Sequence, residues 1–326
     1  MPANLTPEYK KAEEAFRAAK TREEKIAALE HMMAVIPKHK GTDHLQGDLK
    51  KRLSKLRDMD DRSGGKRTDP YRIEREGAAQ VVIVGPPNSG KSSLLSVLTN
   101  AKSEVAPYPF TTARPIPGMM DFEDIQIQLI DTGPATQDRF EQYHSNLTRN
   151  SDLVLLTIDL GDSDPAASLR LMIDLFESKR IRFGDAPEEV TEYGVAYKKA
   201  LILVNKCDLD EDDILINSFL ESFKTELPVA PVSAKTGTGL EELRRKIFDG
   251  LNVIRVYSKL PGRPPDMDAP FVLPMGSSIM DVAKTVHNDF ANNLKYARIW
   301  GSEKFEGQKV QRDYIVHDKD VIELHI

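Results

Sequence analysis

Hydrophobic and polar positions fall into three successive patterns along the chain. Over residues 1–60 apolar positions recur at helical spacing. Thr6-Pro7-Glu8, with proline at the first helical position, and the capping box Thr21-x-x-Glu24 predict two helices, the second ending near Val35 before Pro37. A third is predicted from near Thr42. It carries Leu45, Leu49, Leu53 and Leu56 on one face and Lys50, Lys51, Arg52, Lys55 and Arg57 on the other. Those charges suit either a solvated face or a contact with RNA phosphates, since Arg62, Lys66, Arg67 and Arg72 continue the basic run. Residues 61–70 read as a loop or hinge.

From about Ala78 short apolar runs alternate with helical ones, which predicts an α/β sheet, mostly parallel with helices on both faces. Candidate strands are 80–84, 124–130, 153–159, 200–204 and 228–232. Within 161–200, Leu169, Met172, Ile173 and Phe176 predict a helix, and Gly184 to Gly194 a polar excursion. Beyond Asn252 the pattern changes again. Strands at 254–257 and 271–273, a helix presenting Ile279, Val282, Ala283 and Val286, and closing runs at 296–300 and 321–326 predict a small mixed module. The expected organisation is a helical region over 1–70, an α/β domain over 78–252 and an α+β domain over 253–326.

Composition narrows the classes. No apolar run among the 326 residues approaches the ~20 needed to cross a bilayer, and the N-terminus lacks the apolar core of a secretory signal. One cysteine, Cys207, forms no internal disulfide framework and suits a reducing cytosol, so a cytoplasmic protein without membrane attachment is expected. Seven scattered histidines lack zinc-site spacing. A net charge of −6 argues against non-specific nucleic-acid binding by the whole molecule, and no DNA partner is expected, but a local basic face is compatible with it.

The chemistry gathers on Gly85-Pro86-Pro87-Asn88-Ser89-Gly90-Lys91-Ser92, which fits G-x-x-x-x-G-K-[ST] between an apolar strand and a helix beginning Ser92-Ser93-Leu94. Its backbone N–H groups would turn onto phosphate oxygens, Lys91 would neutralise the β- and γ-phosphates, and Ser92 would bind Mg²⁺. Asn205-Lys206-Cys207-Asp208 follows a second apolar strand and reads as a guanine selector. The Asp208 carboxylate accepts from the ring N–H and the exocyclic amine, and adenine would leave it unpaired. Ser233-Ala234-Lys235, after another strand, supplies the backbone N–H for the guanine oxygen. Between these, Thr111 and Thr112, in the run that includes Phe110, offer hydroxyls to the magnesium shell, with Thr112 preferred. The alternative is that both threonines are ordinary loop residues. Asp131 ends a strand and would hold magnesium directly or through water. Residues 132–146 would form a second switch. GTP and GDP are thus the expected ligands.

In this order, these residues resemble the translation-factor-related GTPases, and more narrowly the Obg and developmentally regulated GTP-binding protein group. The run from Ser93 through Tyr108-Pro109-Phe110-Thr111-Thr112 is similar to that group's first switch. The run from Ile36-Pro37-Lys38 to Lys55-Leu56-Arg57 resembles its basic helical hairpin. Residues 253–326, with Pro270-Phe271-Val272-Leu273-Pro274 and Lys295-Tyr296-Ala297-Arg298-Ile299-Trp300-Gly301, resemble its TGS domain, a ubiquitin-like β-grasp fold. The resemblance implies a GTPase that uses Mg²⁺ and associates with ribosomes or RNA through the hairpin and TGS domain.

Three departures qualify it. The group carries D-x-x-G after the second strand, whereas Asp131-Thr132-Gly133-Pro134 places glycine one position early and puts proline, without an N–H, where that donor belongs. Ala135 stands where a water-positioning glutamine would, leaving Gln137 as a substitute, so basal hydrolysis is expected to be slow; Lys91, Thr112 and Gln137 form the candidate catalytic set. Residues 161–200 are too short for the insert of the eukaryotic members. Asn88 adds the alternative of a potassium ligand, placing K⁺ near the β–γ bridge, against a plain loop-shaping role. The leading expectation is a Mg²⁺-dependent, GTP-hydrolysing switch. The alternatives are a nucleotide-gated scaffold that scarcely turns GTP over, and an ATPase like a TGS-bearing relative, which the intact Asn205 and Asp208 disfavour.

Overall fold

Continuous apolar strands need cover on both faces, and the sheet at the centre of this chain receives it. The computed structural model describes residues 7–18, 22–36, 49, 71, 73–99, 115–187, 194–301 and 307–326. The chain divides into two compact units, Met1–Pro70 and Tyr71–Ile326. In the first, helices α1 (Pro7–Ala18) and α2 (Arg22–Val35) pack around Tyr9, Ala12, Leu29, Met32 and Ile36, with Leu49 added to the cluster. Apart from Leu49, the predicted third helix with its basic face, and the 61–70 loop, lie outside the described residues.

The second unit holds two main sheets. The larger has strands β1 (Gln80–Gly85), β2 (Ile116–Phe122), β3 (Ile125–Pro134), β4 (Leu153–Asp159), β7 (Ala200–Asn205) and β8 (Val229–Val232). Their spatial order is β2-β3-β1-β4-β7-β8, parallel throughout except for β2, which runs antiparallel to β3. Alternate residues of β1 serve opposite cores. Val81 and Ile83 meet helices α3 (Lys91–Leu98) and α7 (Leu240–Leu251). Val82 and Val84 join the core that includes α4 (Gln142–Asn150), α5 (Pro165–Ser178) and α6 (Ile214–Ser222). The predicted mostly parallel sheet with helices on both faces is therefore present.

Two differences from the sequence reading concern this sheet. Strand β2 was not predicted, because Pro117 and Gly118 interrupt its pattern; as an edge strand it tolerates a proline that a central strand would not. Strand β3 runs on past Asp131 to Pro134, as far as a pairing with Gly85 of β1. In the 161–200 connection the helix α5 is present. The short strands β5 (Ile181–Phe183) and β6 (Ala196–Lys198) pair in parallel across the polar excursion.

The smaller sheet contains β9 (Val253–Ser258), β10 (Phe271–Pro274), β11 (Tyr296–Trp300), β12 (Gln308–Val310) and β13 (Asp320–His325), in the order β10-β9-β13-β11-β12. Helix α8 (Ile279–Val286), capped by Ser278 and Asp281, packs Ile279, Val282 and Ala283 against Ile254, Val256 and Ile299, and the short α9 (Asn288–Asn293) follows it.

A buried ionic joint connects the two sheets. The Arg255 side chain on β9 is 3% exposed; its guanidinium meets Glu123 at 2.6 Å and Asp124 at 2.7 Å, both in the β2–β3 turn, and Asp318 at 2.7 Å. It also lies over the Phe248 ring, 4.8 Å from its centre, and that ring stacks on Phe122. The Tyr257 hydroxyl donates to Asp124. Burial works against the charge on Arg255, but the three carboxylates outweigh it and raise its pKa. Arg255 holds the Glu123 carboxyl down at about 2, aided by Lys319.

Candidate functional site

The strands deliver their chemistry at one end of the large sheet, the carboxyl ends where α/β folds bind ligands. After β1 the chain turns through Asn88 (φ 63°) and Gly90 (φ 86°), both left-handed, and enters α3 at Lys91. Pro86 is half-buried, Pro87 and Asn88 are exposed, and Ser89 is buried. Asparagine tolerates this backbone better than most residues, which supports the loop-shaping role of Asn88 and leaves the ion-binding alternative untouched. Only glycine fits at position 90. A Cβ there would sit 2.1 Å from the Asn205 amide nitrogen, on top of its unfavourable φ. The buried Lys91 donates to the Pro86 carbonyl at 2.7 Å, inside the loop it would serve. Burial lowers its pKa, and nearby Asp131 opposes that shift.

Asn205, at the end of β7, ties three segments together. Its amide nitrogen donates to the Ser89 carbonyl at 2.8 Å, and its oxygen accepts from the Ala234 N–H at 3.2 Å. Asp208 is held in turn. Its Oδ1 accepts from the Ser233 hydroxyl at 2.6 Å, and Lys235 lies 3.7 Å from its Oδ2. The Ser233 hydrogen bond, and Lys235 after it, lower the Asp208 pKa. Lys206, at φ 65°, pairs with Asp159 at 2.5 Å. Together with Gly90 and Ser93 these groups line a cleft of about 440 Å³. A larger cavity of about 550 Å³, lined by Leu153, Lys199 and Lys246 among others, opens at the amino-terminal ends of β4 and β7 and carries none of these groups.

Beside the Gly85–Ser92 loop the Ser92 hydroxyl donates to Asp131 Oδ2 at 2.5 Å, and the Gly133 N–H donates to Asp131 Oδ1 at 2.9 Å. A hydroxyl and a buried carboxylate are hard oxygen donors and fit magnesium. The residues after Asp131 are fastened to β1 and α4. Thr132 donates to the Ile83 carbonyl, Ala135 N–H donates to the Gly85 carbonyl, and the Tyr143 hydroxyl donates to the Thr132 carbonyl, each at 3.0 Å. Burial pushes the Tyr143 phenol to about 12 and the fully buried His144 down to about 4. Gln137 is exposed on a single 3₁₀ turn, and no hydrogen bond joins it to the phosphate loop among the described residues. The expected switch over 132–146 is thus part strand, part turn and part helix in this structure. Phe110, Thr111 and Thr112 lie outside the described residues.

Asp159 and Tyr143 were not singled out from the sequence. A carboxylate closing an apolar strand, as in Leu155-Leu156-Thr157-Ile158-Asp159, was the available signal for the first. The second has no local signature.

The family profile described as a 50S ribosome-binding GTPase matches residues 80–206, and the TGS domain profile matches residues 254–326. An uncharacterized GTP-binding protein of Methanocaldococcus jannaschii is 30% identical, over 93% of each chain. The developmentally regulated GTP-binding protein 2 homolog of Dictyostelium discoideum is 28% identical over 92% of this chain and 98% of its own. The chain belongs to the developmentally regulated GTP-binding protein family. It is a GTP-binding member with a P-loop GTPase fold and a C-terminal TGS domain. The match to the M. jannaschii protein runs over 367 aligned positions against 326 residues here, so that relative carries internal segments this chain lacks. A GTP-binding protein from Pyrococcus horikoshii shares the fold, with a TM-score of 0.51 at 18% identity, over 76% of this chain and 99% of its own. No helix among the described residues is long and apolar enough to cross a membrane.

Proposed function

We propose that this protein hydrolyses GTP to GDP and phosphate at the cleft between the Gly85–Ser93 loop and the Asn205/Ser233 loops, and that it works as a ribosome-associated switch. The observation that supports the site is the bonding of Asn205 to both Ser89 and Ala234, which ties the Gly85–Ser92 loop to the Asn205 and Ser233 loops. In this reading Asp208 accepts from guanine, Ser233 orients that carboxylate, and Lys206 lines the same cleft. Lys91 leaves the Pro86 carbonyl for the β- and γ-phosphates. Ser92, Asp131 and Thr112 hold magnesium, which supplies charge neutralisation when bound. Asn88 holds potassium beside the loop, a role tested by comparing turnover in potassium and in sodium at equal ionic strength; equal rates retire it.

Hydrolysis is slow in this reading, because Pro134 has no N–H, the Ala135 N–H is engaged by Gly85, and Gln137 faces solvent. The same three facts favour a second reading, a GTP-gated scaffold with negligible turnover. Single-turnover hydrolysis with the protein in excess over GTP separates the two. Release of phosphate above the uncatalysed rate supports the first, and none supports the second. Sedimentation with ribosomal particles in GDP and in a non-hydrolysable GTP analogue tests the partner: binding favoured by the analogue supports a switch, and no binding in either state removes the ribosome from the proposal.

A further inference from the structure

Lys206 follows β7 and lines the cleft, whereas Asp159, with which it pairs, closes the neighbouring strand β4 and is not among the lining residues. The lysine stands at φ 65°, a left-handed backbone that glycine or asparagine adopts more readily. A long side chain at such a position is there for what it reaches, because the backbone gains nothing from it.

What it reaches is a carboxylate held on both sides. Asp159 stands beside Asn205 in the β4–β7 register. Its Oδ1 accepts from the Gly161 N–H at 2.9 Å, which leaves Oδ2 for the Lys206 ammonium at 2.5 Å. Gly161 fits closely, since a Cβ there would come 2.9 Å from the Leu209 side chain and 3.3 Å from Asp159 Oδ1. Holding the two strand ends together does not require the ion pair, because the Leu160 N–H already donates to the Asn205 carbonyl at 2.9 Å. With side chains 38% and 21% exposed, the pair also adds little to stability, so its consequence is geometric.

We propose that Asp159 is a positioning residue for the nucleotide base: it anchors the Lys206 ammonium so that the four-carbon stem lies as a fixed apolar wall against the face of the ring. This rests on the nucleotide reading above and adds a residue that itself meets no part of the ligand. An unanchored lysine is flexible along its stem, and ordering it as the ligand arrives costs affinity. Pairing at the far end completes that ordering beforehand, and a preordered wall binds more tightly. The methylenes offer apolar surface while the charged head is turned away onto Asp159. The wall meets the flat face of the base, which guanine and hypoxanthine share. Asp208 reads the edge, where the two differ by the exocyclic amine. The base subsite therefore has two separable parts, one indifferent to that amine and one selective for it.

A double-mutant cycle in the full-length protein tests this, read as affinities for GDP and for inosine diphosphate by competition against a fluorescent nucleotide. Asp159→Ser keeps a short hydroxyl for the Gly161 N–H but cannot reach Lys206. It should weaken both nucleotides about ten-fold and by the same factor, leaving their ratio unchanged. Asp159→Asn, which keeps an acceptor for Gly161 and another for Lys206, should recover most of the loss. Lys206→Met keeps an unbranched stem without the ammonium and should weaken both nucleotides to a similar degree. Adding Asp159→Ser to Lys206→Met should cost no more than about two-fold, because the carboxylate then has nothing left to position. Thermal unfolding without nucleotide checks that each variant keeps its fold. Unchanged affinities in Asp159→Ser overturn the proposal, as do effects that multiply in the double variant. A changed ratio of GDP to inosine diphosphate affinity also overturns it, since Asp159 would then support the Asn205–Asp208 frame instead. Asp208→Asn separates the two ways to fail. Where that variant turns preference toward xanthine nucleotides and the cycle multiplies, the cleft stands and only the role of Asp159 is lost. Where it leaves guanine preference unchanged, the guanine assignment falls and the proposal falls with it.

Discussion

The two ends of the proposed nucleotide cleft, named its guanine and phosphate ends after the proposed roles, are built differently. At the guanine end, Asn205, Asp208, Ser233 and Ala234 are already bonded to one another and to the phosphate loop. At the phosphate end, the groups that would meet the nucleotide are bonded to stand-ins: Lys91 to the Pro86 carbonyl, Ser92 to Asp131, and the Ala135 N–H to Gly85. Under the proposed function, selection falls to a hydrogen-bonded frame and response to contacts that must be exchanged. A preorganised site discriminates because it does not relax around the wrong ligand, and a segment can report a ligand only if it has another arrangement to leave.

Four experiments break or sharpen that contrast. Asp208→Asn exchanges an acceptor for a donor at the rigid end. GTP affinity should fall on the order of 10⁴-fold, with xanthosine triphosphate now preferred, as read by competition against a fluorescent nucleotide. Unchanged GTP preference would remove the guanine assignment. Lys91→Ala at the responsive end should lower single-turnover hydrolysis by about 10²–10³-fold. An equal rate in the variant would show that the lysine never leaves Pro86.

The third experiment uses pH. Burial, and after it the positive charge of Lys91, holds His144 near 4, so the folded state takes up its proton far below the pH at which the unfolded chain does. Its contribution is complete above about pH 6.5 and is lost as pH falls toward 4, roughly 2 kcal/mol between pH 7 and pH 5. Urea denaturation at the two pH values should show the loss, and His144→Phe should remove the His144 part of it. The smallest effect is expected from Tyr143→Phe, which leaves the Thr132 carbonyl without that donor and costs about 1 kcal/mol of stability. Guanine selectivity should be untouched, while the ratio of GTP-analogue to GDP affinity changes. A shift in guanine selectivity instead would mean that the two ends are one unit.

What the sequence showed and what it hid follow the same division. The strand–loop–helix around Gly85 to Ser92 and the strand before Asn205–Asp208 were legible because strict spacing and an apolar run are local properties. Strand β2 was hidden because Pro117 and Gly118 are poor strand residues that only an edge position tolerates. The extension of β3 to Pro134 was hidden too, since Gly133-Pro134 reads as a turn until pairing with Gly85 is known. Arg255 gave no signal at all. A lone arginine in Ile254-Arg255-Val256-Tyr257 reads as a strand's solvent side, and its three carboxylate partners lie more than sixty residues away on either side.

That arginine bears on how separable the C-terminal domain is. Chain order places the seam between Asn252 and Val253, but the bonds that seat the domain reach back to Glu123 and Asp124. A chimera whose imported TGS domain lacks an arginine at this position, with the native β2–β3 turn left in place, would leave Glu123 and Asp124 without their buried partner. As a transplantable part, this domain has its seam inside the hairpin, and the two pieces of sequence on either side of it are inherited as one.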